Sequence, residues 1–241
     1  MITLINSLGS TLTLPVTMSY TDTSYDYKVD AERLTGDGAV FTGKSLEPRA
    51  ISLEGSLYYK TPASNQAKID ELNRFLRYSP IEIDRGDGRR IKATPQSHSY
   101  KWLDGGVEVE AKLGLIAHDP YFYGTPQEFS KTVTGADAIA LAPDGEGYPV
   151  ITLTITGSCT DPTLTLGAQV VAIAGTYASG VIRLDCAKML ATYNGAGIIG
   201  AMNDAWLANS LIISYDDSSM TFTATGSYSI DVKIELRPRY L

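Results

Sequence analysis

Cysteine is nearly absent: Cys159 and Cys186 are the only two in 241 residues. Two cysteines cannot form the disulfide framework of a small secreted fold. They read as buried free thiols, with a single Cys159–Cys186 bridge as the open alternative. Histidine is equally scarce. His98 and His118 stand alone, and neither has Cys, His, Asp or Glu neighbours at a recognised metal spacing. No metal and no cofactor is therefore expected. No run of about eighteen apolar residues exists to cross a membrane. The longest candidate, 195–211, is broken by Gly200, Asn203 and Asp204. Met1-Ile2-Thr3-Leu4 lacks the basic and apolar regions of a signal peptide, so folding in a cytosol is expected. Basic residues are the minority, 20 against 27 acidic, for a net charge of −7. Such a surface repels phosphate backbones and anionic lipid heads. The short basic pairs Arg89-Arg90 and Arg237-Pro238-Arg239 do not reverse that.

Tyrosine is abundant, with 15 Tyr against 5 Phe and 2 Trp. It suits strands and interfaces because it joins a flat apolar body to a polar tip. Strand periodicity dominates the chain. Ile51, Leu53, Gly55, Leu57 and Tyr59 alternate with Ser52, Glu54, Ser56 and Tyr58, the period of a half-buried strand. Residues 106–117 repeat the pattern, with Val107, Val109, Ala111, Leu113, Leu115 and Ala117 on one face. Between these strands lies one helix, predicted over about 62–78. Thr61 caps it, Pro62 fits its first turn, and Ile69, Leu72, Phe75 and Leu76 recur at helical spacing. Pro80 ends it. A hairpin follows over 81–93, turning at Arg85-Gly86-Asp87-Gly88.

His118-Asp119-Pro120-Tyr121-Phe122-Tyr123-Gly124 interrupts the strands, and a domain boundary is placed near residue 124. Beyond it come short strands separated by turn residues, the pattern of a β-sandwich. The predicted strands are 128–134, 149–156, 163–166, 170–174, 181–185, 210–215, 220–224 and 227–237. Only 186–191 and 200–208 read as weakly helical. The expected domains are 1–124 and 125–241, both mainly β.

Several motifs suggest chemistry. Gly38-Ala39-Val40-Phe41-Thr42-Gly43-Lys44-Ser45 satisfies the P-loop spelling. That loop needs a buried strand before it and a helix after it. Polar residues precede it here and Pro48 follows, so a glycine-rich strand connection is the better reading. Arg85-Gly86-Asp87 spells an adhesion tripeptide, but Gly-Asp-Gly is first a hairpin tip. Asp84, Asp87, Asp216 and Asp217 fall in turn-like segments rather than in a buried acid–base pair. No nucleophile elbow is present. An enzyme is not expected. Tyr193 and Trp206 are the aromatic residues of the second half that could meet a glycan, although Trp206 between Ala205 and Leu207 reads more as core.

Three stretches carry a family resemblance. They are the strand Ile51–Leu57 leading through Tyr59-Lys60-Thr61-Pro62 into the helix ending Leu72-Asn73-Arg74-Phe75-Leu76, the long strand closing on Ala117-His118-Asp119-Pro120-Tyr121-Phe122-Tyr123-Gly124, and the final Asp231–Leu241. Together they resemble the distal tail proteins of siphophages and related prophages. The resemblance spans the chain and implies a fold and a role. The first half would be a β-sandwich-like, ring-forming domain related to tail-tube proteins. The second would be a galectin-like β-sandwich pointing outward. A hexameric ring would sit at the virion tail tip, between the tail tube and the tail-tip hub, assembled in the host cytoplasm. It would dock receptor-binding proteins, and DNA would pass through its channel without specific binding. Asp119, Pro120, Tyr121 and Tyr123 would form the inter-domain hinge. Relatives with an inserted carbohydrate-binding module are longer, so this chain would be the minimal form.

Overall fold

A computed structural model describes residues 1–23, 27–33 and 39–240; for 27–33 and 39–45 only the backbone is described. The chain divides into two compact units, 1–123 and 124–240.

In the first unit the strands are β1 (Thr3–Ile5), β2 (Thr11–Thr13), β3 (Ser19–Asp22), β4 (Tyr27–Arg33), β5 (Ala39–Leu46), β6 (Arg49–Tyr58), β7 (Ile81–Asp84), β8 (Arg90–Leu103), β9 (Glu108–Ala117) and β10 (Phe122–Tyr123). Seven of them run in the order β2-β1-β7-β8-β9-β6-β3 in one antiparallel sheet, and β10 joins it by pairing Tyr123 with Arg90 of β8. β4 and β5 pair with each other as a separate hairpin. The alternation read from the sequence is the alternation of burial: Ile51, Leu53 and Leu57 pack inward on β6, and Val109, Ala111, Leu113, Leu115 and Ala117 do so on β9. Because β6 and β9 pair in register, Leu53 facing Leu113 and Leu57 facing Val109, the two apolar rows form one continuous surface.

The helix α1 (Pro62–Leu76) covers part of that unit. Thr61 is its N-cap, and its hydroxyl accepts from Ser64 N–H in a reciprocal capping box. Ile69, Leu72, Phe75 and Leu76 are buried, as the spacing predicts. One residue in the same helical phase was not read from the sequence. Asn65 is fully buried, its Nδ2 donating to the carbonyls of Gly106 and Val107 at 2.7 Å each, while Oδ1 accepts from Tyr59 N–H at 3.1 Å. This one amide fastens the first turn of the helix to the end of β6 and the start of β9, which lie side by side.

The second unit holds β11 (Gln127–Val133), β12 (Asp137–Ala140), β13 (Val150–Leu166), β14 (Gln169–Ala172), β15 (Thr176–Tyr177), β16 (Gly180–Asp185), β17 (Leu190–Tyr193), β18 (Ala196–Gly197), β19 (Ser219–Leu236) and β20 (Arg239–Tyr240). Two long strands organise it. The first half of β13 pairs with the second half of β19, and the remaining halves pair after a register shift between Thr160 and Thr163. β16, β17 and β18 extend one end of this ladder, and β12, β14 and β15 attach to the other. Gly157 and Gly226, read from the sequence as strand-ending turns, lie inside β13 and β19. They have φ of 91° and 114°, and a Cβ on either would stand 2.5 Å from a carbonyl oxygen of the opposite strand, Ser227 and Ser158 respectively. The glycines let paired backbones bend together, so two predicted short strands become one long strand on each side.

Two further expectations are corrected. The stretch 186–191, read as weakly helical, is not a helix: 186–189 is a turn, and Leu190–Tyr193 is a strand because it pairs with Ile182–Asp185. Residues 210–215 are not a strand; only Ile213 bridges, to Gly147. The weak helical signal at 200–208 corresponds to a short turn at Ile199–Ala201 and α2 (Asp204–Ala208). One apolar cluster fills the unit, including Ile151, Leu153, Phe222, Ile230, Ile234 and Trp206.

Candidate functional site

The motifs with chemical spellings fold into ordinary strand and turn geometry. Ala39–Leu46 is a β-strand, with Lys44 opposite Val29 and Ser45 opposite Lys28; Gly38 lies outside the described residues. The next element is strand β6 rather than a helix, so no helix N-terminus is present to receive phosphate. Arg85-Gly86-Asp87 is a hairpin tip with φ of 87° at Gly86. Arg85 folds back, 2.7 Å from Asp87 Oδ2 and with its guanidinium 4.6 Å from the Phe122 ring centroid, so the tripeptide binds itself. Asp84 accepts from Gly86 N–H and from Arg90, and Asp217 accepts from Ser214 N–H. Both carboxylates act as turn fasteners. His98 and His118 are exposed. Among the described residues no three His, Cys, Asp or Glu side chains gather into a metal-sized cluster.

The boundary segment is held by its own carboxylate. Asp119 accepts from Tyr121 N–H at 3.3 Å and from the Tyr123 hydroxyl at 2.6 Å, and Pro120 is buried. Beside it in the first unit lies a compact ionic and aromatic cluster. Arg49, only 6% exposed, donates from Nη1 to Asp22 at 2.8 Å and stands 4.9 Å from the Phe122 centroid. Tyr20 donates to the same Asp22, and burial followed by that carboxylate's charge pushes its hydroxyl well above the usual tyrosine range. The cluster ties β3, β6 and the segment after β9 together with charge-assisted contacts.

The aromatic residues considered for a glycan are not displayed as a platform. Trp206 is 1% exposed, so neither of its faces can stack on a sugar. Its buried indole N–H lacks an oxygen or nitrogen acceptor and approaches the Cys186 thiol, a weak one. Tyr193 is half-buried, set edge-on to Tyr177 at 5.1 Å, and its hydroxyl donates to the Ala178 carbonyl. Both cysteines are free and buried.

Surface rather than cleft is what the first unit offers. The outward face of β3-β6-β9-β8 is polar: Ser19, Glu54, Lys112 and Ser99 stand in one cross-strand row. The Glu54 carboxyl is held below its ordinary range by hydrogen bonds from Lys112 and then Ser52. Thr17, Ser19, Thr21 and Thr23 each donate a hydroxyl to a carbonyl of β6, those of Ser56, Glu54, Ser52 and Ala50. β8 is different from its neighbours. β9 alternates buried and exposed, whereas Gln96–Ser99, Lys101 and Trp102 of β8 are exposed on both faces of the sheet. β7 pairs only with Arg90–Ala93, and no strand of the described residues pairs with that edge over 97–103. A cavity of about 420 Å³ lies next to it, lined by Asn73, Leu76, Arg77 and Pro95–His98.

No protein-family model matches the chain, and no curated protein matches it. Solved structures do. The Dit protein of phage SPP1, described as a paradigm of the hub adsorption apparatus of phages infecting Gram-positive bacteria, aligns over 100% of both chains with a TM-score of 0.70 and 18% identity. A chain of the phage P2 baseplate in its activated conformation with Ca aligns over 97% of both chains at 8% identity, with a TM-score of 0.44. The first likeness shows a shared, mainly β fold from end to end; the second is too distant to carry an argument.

Proposed function

We propose that the chain is a structural component of a phage tail tip, a distal tail protein that acts by assembly and not by turnover. The observation that carries this reading is the whole-chain fold shared with the SPP1 Dit protein. In this reading the first unit forms a hexameric ring joining the tail tube to the tail-tip hub. The second unit, a galectin-like sandwich, docks receptor-binding proteins, and the Asp119–Tyr123 segment is the joint between them. The ring is part of the virion, is assembled in the host cytoplasm, and lets DNA pass without specific binding. The net charge of −7 suits that last role, because a negative wall does not hold phosphates.

The test is the mass of the full chain in solution. Size-exclusion chromatography with light scattering, followed by negative-stain imaging, is expected to give a particle of six 26.0 kDa chains with a central opening. A monomer at every concentration overturns the reading.

A further inference from the structure

The hairpin tip that spells Arg85-Gly86-Asp87 touches the chain at the end of the first unit. Its arginine reaches Phe122, and the unit ends at Tyr123. We infer that this tip is a latch. Closed, it holds 118–123 on the first unit; open, it releases that segment to the connection between the units. The inference deepens the reading of Asp119–Tyr123 as a joint and rests on it, but not on ring formation.

After β9 ends at Ala117, the chain comes back to the sheet at Tyr123, which pairs with Arg90 at the start of β8. Arg90 follows directly on the tip, so one hairpin meets the segment through backbone and through Arg85. Phe122 is buried, and two guanidinium groups stand over its ring, Arg49 at 4.9 Å and Arg85 at 4.6 Å from the centroid. Arg85 also lies 5.3 Å from the Tyr20 centroid, so it meets two rings at once.

The two arginines differ in how they are mounted. Arg49 belongs to β6, is almost wholly buried and is tied to Asp22 on the neighbouring strand. It is the fixed side of the clasp. Arg85 belongs to a surface turn with positive φ at Gly86 and Gly88, and its side chain is 33% exposed. Its ion-pair partner, Asp87, is on the same turn, and Arg90 pairs with Asp84 and Glu82 inside the same hairpin. These charges hold the tip to itself, so Arg85 holds the segment through the rings. Closure also leaves donors unsatisfied. Nε of both arginines and Nη2 of Arg49 are buried without a hydrogen-bond acceptor among the described residues, and a ring face is a weak substitute. For Arg49 that cost is built into the sheet. For Arg85 it is relieved when the tip swings out and the N–H meets water. The closed latch is therefore close to balance, and it opens without breaking the ladder between β8 and β9. Asp119 bonds Tyr121 and Tyr123 within the segment, so 118–123 leaves as a preformed turn, an elbow added to the joint.

Hydrogen exchange of the full chain, read by mass spectrometry, separates the joint from the sheet. In Arg85→Ala, a peptide covering 118–123 is expected to exchange about five- to thirtyfold faster than in the parent, while one covering 108–117 of β9 keeps its rate. Phe122→Leu keeps an apolar side chain and removes the ring face. In that background, adding Arg85→Ala is expected to change the 118–123 rate by less than about twofold. Acceleration that appears equally in β9 overturns the latch, because the tip would then be part of the general packing. An Arg85→Ala effect that persists undiminished without the ring overturns it too. A parent in which 118–123 exchanges faster than β9 but is indifferent to Arg85 keeps the joint and loses the latch. A segment as slow as β9 in every variant loses both. All these rates are read within one chain, so a parent that is monomeric at every concentration overturns the ring and leaves the latch to be decided by them.

Discussion

β11 in the second unit and the 97–103 stretch of β8 in the first are both edge strands, and they are guarded in opposite ways. β11 carries Glu128 and Lys131. Glu128 pairs with Lys233 across the ladder, and Lys131 binds Asp137 and the Ala138 carbonyl. Charges on an edge make strand addition costly, because an incoming strand must displace or desolvate them. β18, at the other end of that ladder, is only two residues long. The β8 edge is longer and nearly uncharged. The second unit thus ends its sheets, while the first leaves one available. Under the proposed function, that difference would leave self-association to the first unit and other partners to the second.

The same contrast extends to how each unit is stabilised, and it can be broken by one tryptophan. Trp206 is the largest fully buried side chain of the second unit. Trp206→Ala removes it from a cluster that runs through β13, β16 and β19, and is expected to cost about 3–5 kcal/mol. Trp102, 42% exposed, lies in the first unit, so the chain holds one reporter per unit. Denaturant unfolding followed by fluorescence of Trp206→Ala should leave the Trp102 transition in place while circular dichroism shows early loss of the second unit. A single shift of both would show that the units do not unfold separately.

Asn65→Ala probes the first unit in return. The substitution strips hydrogen bonds from the Tyr59 N–H and from the carbonyls of Gly106 and Val107. Groups left buried without partners cost about 1–3 kcal/mol each where water cannot reach them, and the site lies at the sheet rim, so a loss of about 3 kcal/mol is expected. It should appear in the Trp102 transition only. A change below about 0.5 kcal/mol would mean that the helix is held by Ile69, Leu72 and Phe75 without this amide.

These elements differ in how far the sequence reveals them. The capped helix, the alternating β6 and β9 and the hairpin around Gly86 are local events, set by residues within one element, and all are readable. Asn65 is not. A polar residue on a helix face looks exposed until the loops that meet it are placed, and its only clue is being four residues before Ile69. Gly157 and Gly226 show a second limit. Glycine marks a departure from strand geometry, but a turn and a bend within a continuing strand have the same spelling. What separates them is the partner strand, where the matching glycine sits about seventy residues away. Leu190–Tyr193 is a strand because Ile182–Asp185 lies beside it, not because of its own residues. The bare edge of β8 is likewise unreadable, since Gln-Ser-His-Ser-Tyr-Lys-Trp names neither its partner nor its lack of one.

Both cysteines belong to the second unit, so thiol chemistry gives a comparison with no contribution from the first. Cys159 and Cys186 are buried and unbonded, and burial pushes the Cys186 thiol up to about 11 from 9.0. A group whose pKa is raised by folding stabilises the fold below its unfolded value and ceases to do so as pH rises through the folded one. The second unit should therefore weaken between pH 9 and 11. At neutral pH, reductant should leave the melting temperature unchanged. A thiol reagent should find no reactive group in the folded chain and two after denaturation. Labelling at neutral pH then measures how often the second unit opens, and it should keep its rate in Asn65→Ala and accelerate in Trp206→Ala. Equal acceleration in both would mean that loosening the first unit also opens the second, and the division of labour between guarded and open edges would have to be redrawn as a property of one cooperative body.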